Sequence, residues 1–473
     1  MAIDVAKFDR LFNPRSAVVI GDKQALGYSW LNSMSAFKGP VYSVQVDEKE
    51  IPNIEAMGFQ NYKSLMDVPG DIDFVIVSVP RKIAPFILKQ CIDKGVGGAT
   101  FFTSGFAETA EEEGIALQQQ LTEMAREADF MLVGPNCMGL FIPGRGVRFT
   151  TQQYAGETGP VGFIGQSGTQ SMYFSLLGGA HGVKVSKLVS LGNAIVLDVP
   201  DYLEYLGQDP ETKMIGMYVE GVKNGRRFFE VLKDVCRRKP VVIWKGGQTA
   251  DGARAVSSHT ASLATENSVW ESLVRQCGAL SVNSLEELVD VLKGLLYIAP
   301  STGMRMGIMA LTGGQSVAAA DAFAKQGFTI GPLSESSYKD LSSFFTIIGA
   351  SYRNPLDISS NLPDQTVLVR ILDILERDPT VDAITTELTT SLLDRREAMG
   401  EGYVENLIDI LANHRERTKK PYFTTICPVD QEVEAIRLRE QLMARGIPSF
   451  PTFHRSANAY RKLVDYNEFL RDA

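Results

Sequence analysis

Short runs of apolar, β-branched residues alternate with longer stretches of helical periodicity along nearly the whole chain. That alternation predicts parallel α/β units, because a parallel strand buried on both faces reads as an unbroken apolar run, while its crossover helix shows a single apolar stripe. Residues 16–21 read as a first strand and 41–46 as a second; 74–79 follow, then a helix over 81–94 and strands at 98–103 and 130–133. Five or six strands in this stretch predict an open Rossmann-like sheet, with Pro143-Gly-Arg-Gly146 as its exit. A second set opens at Gly159-Pro-Val-Gly-Phe-Ile-Gly165 and continues through strands at 185–191, 214–219 and 241–244, with a helical pattern at 268–277. A third begins at Met306-Gly-Ile-Met-Ala-Leu-Thr312, after Pro300-Ser-Thr-Gly303; it holds strands at 383–386 and 422–426 and ends in a polar helix near 456–471. The expected architecture is three Rossmann-like or flavodoxin-like, doubly wound α/β domains spanning 1–146, 147–301 and 302–473. They share one device, a strand that ends in a Gly-rich turn opening a helix.

Composition changes this picture little. A chain of 473 residues exceeds one core, and 44% hydrophobic with 22% charged residues is ordinary for a soluble protein. The net charge of -9 argues against nucleic acid, and an anionic ligand here needs local donors and helix N-termini. No apolar run reaches the roughly 18 residues of a membrane span, and the first ten residues lack a signal-peptide core. The five cysteines (91, 137, 236, 277 and 427) show no zinc or disulfide spacing, which points to a reducing, cytoplasmic compartment.

Candidate chemistry gathers at the strand ends. In Gly21-Asp-Lys-Gln-Ala-Leu-Gly27 the glycines let backbone amides approach a phosphate, but the spacing is not GxGxxG and a plain tight turn fits equally. Lys23 offers an ammonium to a phosphate, while Asp22 beside it opposes one. Ser78-Val-Pro80 and Ser104-Gly-Phe-Ala-Glu108 lie where ligands collect in open α/β sheets, outside the strand C-termini. In Gly134-Pro-Asn-Cys-Met-Gly139, the Asn136 amide suits an acyl or phosphoryl oxygen; Cys137 has no adjacent His or Lys and reads as a lining residue, with nucleophile a remote option. Ser167, Gly168 and Thr169 set amides and hydroxyls at a helix start, where a phosphate and a simple Ser167 cap compete evenly. Glu220 ends a strand, a place where a carboxylate is commonly just solvated. Thr312-Gly-Gly-Gln-Ser316 reads as an ordinary βα turn. His259, in Ala255-Val-Ser-Ser-His-Thr-Ala-Ser-Leu-Ala264, is expected on a loop between a strand and a helix, where it is either a surface residue after a capping Ser or a phosphoryl carrier. The other histidines do not compete: His181 is in a turn, His414 on the solvated face of a charged helix and His454 after Pro451-Thr-Phe453, none with metal-ligand spacing.

These segments, in this order, resemble the nucleoside-diphosphate-forming acyl-CoA synthetases, relatives of succinyl-CoA synthetase, and the likeness runs from Phe8-Asp-Arg-Leu-Phe-Asn-Pro14 into the third domain. The resemblance implies a CoA-binding domain followed by two CoA-ligase domains. It implies His259 as the phosphohistidine and Glu220 as the carboxylate that orients it. Ser167, Gly168 and Thr169, with Gly313 and Gly314 in the third domain, are implied as two helix starts converging on the phosphate. Gly21, Lys23, Gly27, Val79, Pro80, Phe106, Glu108, Asn136 and Cys137 are implied to bind CoA and the acyl group, without metal. Asp22 and Lys23 replace the family's Ala-Ser, Ser43-Val-Gln-Val46 replaces its Pro-Val-Asn-Pro, and Ala261 its Gly. The implied role is the α subunit of an enzyme interconverting acyl-CoA, phosphate and NDP with carboxylic acid, CoA and NTP. CoA is the cofactor of this chain; ATP or ADP with Mg2+ enters through an ATP-grasp β subunit in a hetero-oligomer, with neither nucleic acid nor membrane as partner. A CoA-binding regulatory or scaffold protein, and a nucleotide-independent acyl transferase, are the alternatives.

Overall fold

The structure, a computed structural model, describes residues 3–260, 267–390 and 402–472, and of residues 257–260 the backbone only. Among the described residues the apolar runs form three sheets. The first contains β1 (Ala17–Ile20), β2 (Val41–Val44), β3 (Gln60–Tyr62), β4 (Phe74–Val77), β5 (Gly98–Phe101) and β6 (Leu132–Val133). Its order is β3-β2-β1-β4-β5-β6, parallel throughout. The winding direction reverses at β1, which opens a crevice above the C-terminal ends of β1 and β4. The sequence did not reveal β3, a polar three-residue edge strand with no apolar run to mark it.

The second sheet contains β7 (Gly139–Phe141), β8 (Val161–Gly165), β9 (Val185–Ser190), β10 (Met214–Val219), β11 (Val241–Lys245) and β12 (Leu280–Val282), in the order β12-β11-β10-β8-β9-β7. The third contains β13 (Met306–Ala310), β14 (Leu356–Asp357), β15 (Ala383–Thr389), β16 (Tyr422–Cys427) and β17 (Ser449–Phe450), in the order β14-β13-β15-β16-β17. Counted from β8 and from β13, both follow the flavodoxin order 2-1-3-4-5, with a switch point beside the first strand. Among the described strands only β7 runs antiparallel, against β9; although it precedes Gly146, it belongs to the second sheet.

Two compact units result, one holding the first two sheets (through Gly179, then Val183–Leu288), the other the third sheet (Ala180–Gly182, then from Val289). In the first unit, helix Val5–Phe12 lays Phe8 and Phe12 on Tyr205, with ring centroids 5.1 Å apart in both pairs, and the Tyr205 hydroxyl donates to Asp9 at 2.9 Å. Rings buried this way stabilise by about 2 kcal/mol each and tie the chain start to helix Val199–Gln208 of the second sheet. In the second unit, helices Gly313–Lys325 and Phe453–Asp472 cover one face of the sheet through Ala319, Phe323, Ala457 and Tyr460. Helices Gln365–Arg377 and Tyr403–Arg417 cover the other through Ile371, Leu375, Leu407 and Leu411.

His414 corrects an expectation. It is buried, edge-on to Tyr422 at 4.9 Å, and burial lowers its pKa. Tyr403, Leu407, Leu411 and His414 recur at helical spacing, so the ring shares the apolar face; the polar letters around it mark only the opposite one.

Candidate active site

The C-terminal edge of the first sheet gathers the first group of candidates. Gly21 has φ +83°, and a Cβ there would lie 2.5 Å from the Ser78 carbonyl oxygen and 2.7 Å from Val79 Cγ1, so only glycine lets the β1 and β4 turns meet. Gly27 closes the short turn Gln24–Leu26 in the left-handed conformation, and Lys23 is exposed. Val79 is half-buried and its carbonyl accepts from the Thr103 hydroxyl at 2.7 Å; Pro80 beside it is exposed. Phe106 is fully buried, whereas Glu108 turns back and accepts the amides of Gly105 at 2.6 Å and Phe106 at 3.1 Å. Arg81, overlooked in the sequence, donates to the Gly105 carbonyl at 2.7 Å and pairs with Glu111 and Glu113.

The segment Gly134–Met138 joins the first two sheets. Asn136 is left-handed (φ +58°), and its amide donates to Asn193 Oδ1 at 3.4 Å. Asn193 in turn donates to Glu108 at 2.6 Å and to Gln118 at 3.0 Å, and its backbone N–H reaches the Pro135 carbonyl at 2.9 Å. The Met138 amide donates to the Ser190 hydroxyl at 3.2 Å, and a Cβ on Gly168 would stand 2.9 Å from Met138 Cγ. Asn136 and Glu108 are thus bridged by one side chain, and the loop carrying Asn136 runs along the start of helix Gly168–Ala180.

Cys137 points away from this chemistry. Its thiol lies on the carbonyls of Val133 (3.6 Å) and Phe101 (3.7 Å), and burial pushes its pKa up to about 12. A raised thiol pKa keeps the protonated, unreactive form dominant at every pH below that value. We expect Cys137→Ala to keep turnover within about threefold of the parent, and iodoacetamide at pH 8 to leave Cys137 unmodified in peptide mass maps. Alkylation there with matching loss of activity would assign the thiol a chemical role.

At the second switch point, Ser167 caps helix Gly168–Ala180, its hydroxyl accepting from Gln170 N at 3.3 Å, and Ser171 donates back to the Ser167 carbonyl at 2.7 Å. Gly168 and Thr169 head the helix at its positive end. Gln166, just before Ser167, holds β8 to β10: its Oε1 accepts the amides of Glu220 and Gly221, and its Nε2 donates to the Gly221 carbonyl at 2.7 Å. Glu220 is 5% exposed, so it is not a solvated strand end, and Tyr218 donates to its Oε1 at 3.3 Å. Lys245 is buried, donates to the Glu220 carbonyl at 2.7 Å, and has its pKa lowered by desolvation.

Two glycines connect this carboxylate to the histidine segment. A Cβ on Gly246 would lie 3.2 Å from Glu220 Cγ, and one on Gly247 3.0 Å from Val256 Cγ2. Val256 belongs to helix Ala250–Thr260, which lies against the Ala107–Thr109 turn of the first sheet. Where the sequence suggested a loop, the backbone is helical through Thr260: Thr249 accepts the Gly252 amide at 3.1 Å, and Ala253, Arg254 and Ala255 favour helix. The backbone of His259 is therefore on the last helical turn; its side chain, like residues 261–266, lies outside the described residues.

In the second unit, Gly313 and Gly314 are exposed at the start of the 13-residue helix Gly313–Lys325. Thr312 caps Gln315 N at 3.3 Å and Ser316 donates back to the Thr312 carbonyl at 3.2 Å, repeating the Ser167–Ser171 arrangement. Glu387 of β15, which went unnoticed as a polar interruption of an apolar run, accepts the Leu311 amide at 2.8 Å at the root of this turn, and burial raises its pKa to about 7. Among the described residues no group of three or more potential ligands is placed to hold a metal ion, and no helix is long and apolar enough to cross a membrane.

Comparison with known proteins bears on the fold and the family. Residues 15–143 match a family described as a CoA binding domain, and residues 158–295 one described as a succinyl-CoA ligase like flavodoxin domain. The chain is 35% identical over 380 residues to the acetate–CoA ligase (ADP-forming) II subunit alpha of Pyrococcus furiosus, covering 80% of this chain and 81% of that one. It is 31% identical to the corresponding I subunit alpha of the same organism, over 98% of both chains. Longer relatives of this kind are spanned over only 55% and 64% of their length. Among solved structures, the dinucleotide forming acetyl-coenzyme A synthetase 1 of Candidatus Korarchaeum cryptofilum, in complex with phosphate and ADP, superposes with a TM-score of 0.83 at 28% identity over 98% of both chains.

Proposed function

The chain belongs to the family of ADP-forming acetate–CoA ligases, acid–thiol ligases of the acyl-CoA synthetase type, and on that premise we propose that it works as an α subunit using His259 as the phosphoryl carrier. The observation that carries this reading is the seat of helix Ala250–Thr260. Through Gly246 and Gly247 it rests beside Glu220, and it also lies against the Ala107–Thr109 turn next to the Asn193–Asn136 bridge. A histidine at the end of that helix has a carboxylate near its base and the acyl loop within the same unit.

In this reading, CoA lies along the edge formed by Gly21, Lys23, Gly27, Val79, Pro80, Phe106 and Glu108, with its thioester toward Asn136 and Cys137 as part of the wall. A phosphate oxygen attacks the thioester carbonyl; the C–S bond breaks, and CoA leaves as the thiol after taking a proton. Asn136 donates to the developing oxyanion, and the amides of Gly168 and Thr169, with the Ser167 hydroxyl, hold the phosphoryl oxygens. The unprotonated ring nitrogen of His259 then attacks phosphorus and the P–O bond to the acyl group breaks, releasing the carboxylate. Glu220 accepts from the other ring nitrogen, fixing the tautomer and supporting the positive charge the ring gains. Phosphoryl transfer to NDP takes place on an ATP-grasp β subunit, which also brings Mg2+ with the nucleotide. In the second unit, the amides of Gly313 and Gly314 form a helix start of the same kind, suited to a phosphoryl oxygen. The acid is a small carboxylic acid of the acetate type, and the complex works in the cytoplasm.

The test uses the purified chain with acetyl-CoA and radioactive phosphate, with and without an ATP-grasp β subunit. The chain alone is expected to acquire an acid-labile, alkali-stable phosphoryl group and to make NTP only when the subunit is added. Sustained NTP synthesis without it would remove the partner from the scheme, and no adduct across a panel of acyl-CoAs would overturn the phosphohistidine reading.

A further inference from the structure

In a sheet of this winding order, the diphosphate of a bound dinucleotide is held by backbone amides in the turn after β1. Here most of those amides already have partners within the chain. Asp22 is 1% exposed, and its carboxylate accepts the Leu31 amide at 2.9 Å and the Lys23 amide at 3.2 Å, so it caps the five-residue helix Ser29–Ser33 from within. The Gln24 amide donates to Glu50 at 2.9 Å, and the same oxygen of Glu50 accepts the Tyr28 hydroxyl. The amides of Leu26, Gly27 and Tyr28 close on carbonyls inside the turn, and that of Gly21 on the Val44 carbonyl. The turn after β2 is closed as well: Gln45 donates to the Asp22 carbonyl at 2.9 Å while its Oε1 accepts the amides of Val46 at 2.8 Å and Asp47 at 3.0 Å. Burial raises the pKa of Asp22, and the amides of Leu31, Lys23 and Trp30 pull it back, as they would act on a bound anion.

We infer that Asp22 and Glu50 are specificity determinants that fill the anion positions of this turn with the chain's own carboxylates, so that a CoA thioester is recognised through its pantetheine and acyl end rather than by its diphosphate. A phosphate entering the turn meets two like charges, finds the amides of Lys23, Gln24, Leu26, Gly27 and Tyr28 taken, and has the exposed Lys23 side chain beside it. The edge formed by Val79, Pro80 and Glu108 and the Asn136 loop keep their places for the uncharged arm and the thioester. The inference rests on the CoA site proposed above and changes which part of the ligand supplies the affinity.

The experiment is calorimetric titration of the full chain, as wild type, Asp22→Asn and Glu50→Gln, with CoA and with pantetheine, which lacks the phosphates. Glu50→Gln removes the charge and keeps an oxygen for the Gln24 amide, while Asp22→Asn removes the charge and keeps an oxygen for one of the two amides that Asp22 holds. Wild type is expected to bind the two compounds with affinities within about tenfold of each other. Each variant is expected to gain about tenfold for CoA, the effect of one nearby charge on a polyanion, and nothing for pantetheine. A wild-type preference for CoA above about a hundredfold would overturn the inference. So would an unchanged or weaker CoA affinity in variants that retain wild-type circular dichroism; a gain in only one variant would remove the other residue from it. Binding of neither compound by any of the three proteins would overturn the CoA site itself along with the inference.

Discussion

His259→Ala removes the phosphoryl adduct and lowers coupled acyl-CoA to NTP turnover by at least about a thousandfold, with CoA binding unchanged. The reason is chemical. Alanine leaves no nucleophile at the end of helix Ala250–Thr260, and the adjoining serines and threonine are protonated alcohols that do not substitute for an imidazole at neutral pH. The helix itself is expected to persist, since Val256 anchors it beside Gly247 and Ala is a good helix former. Formation of acyl phosphate from acyl-CoA and phosphate is also expected to persist, because that step precedes the histidine. Acid-quenched labelling and direct acyl phosphate detection as the hydroxamate separate the two half-reactions. Undiminished labelling in the variant would move the carrier to another residue.

Glu220→Gln comes second, with an expected fall in phosphoryl transfer of about a hundred- to ten-thousandfold at unchanged KM for the acyl-CoA. Exchange of an orienting carboxylate for an amide has this scale of effect because the amide favours the wrong tautomer and offers no charge to the cationic ring. The structure separates this from a folding defect. Gln166 and Lys245 hydrogen-bond to the backbone of residues 220 and 221, contacts that the substitution leaves in place, so the β8–β10 junction is expected to survive it. The measurement is single-turnover labelling from acetyl phosphate, compared between Gln and Ala at this position. Similar losses in both would mark the charge and tautomer as decisive; near-normal rates in Gln would reduce Glu220 to a packing residue.

Legibility differed between elements for physical reasons. The strands at β1, β4, β8, β10 and β13 were plain because burial on both faces forces an apolar run, and the helix starts at Gly168 and Gly313 were plain because a hydroxyl residue followed by glycine just after such a run marks a capped turn. Edge strand β3 was hidden, since an edge needs no apolar run. The pairing of β7 with β9 was hidden because partners far apart in the chain leave no local sign. Among site residues, Gln166 and Arg81 act by side-chain hydrogen bonds to backbone or side chains distant in sequence, and polar letters in a loop do not announce such partners.

The sequence by itself determined the α/β class, the three-sheet order of elements and the family, because strand, helix and Gly-rich turn are local patterns of burial and backbone freedom that survive along the chain. Only the tertiary structure decided where individual polar groups point. It turned Asp22 inward onto the Leu31 amide, set the Cys137 thiol on two carbonyls, buried His414 under its helix and drew Asn136 to Glu108 through Asn193. Each of these depends on groups far apart in sequence brought within about 3–4 Å, where desolvation and hydrogen bonding, rather than residue type, set the charge and reach of a side chain.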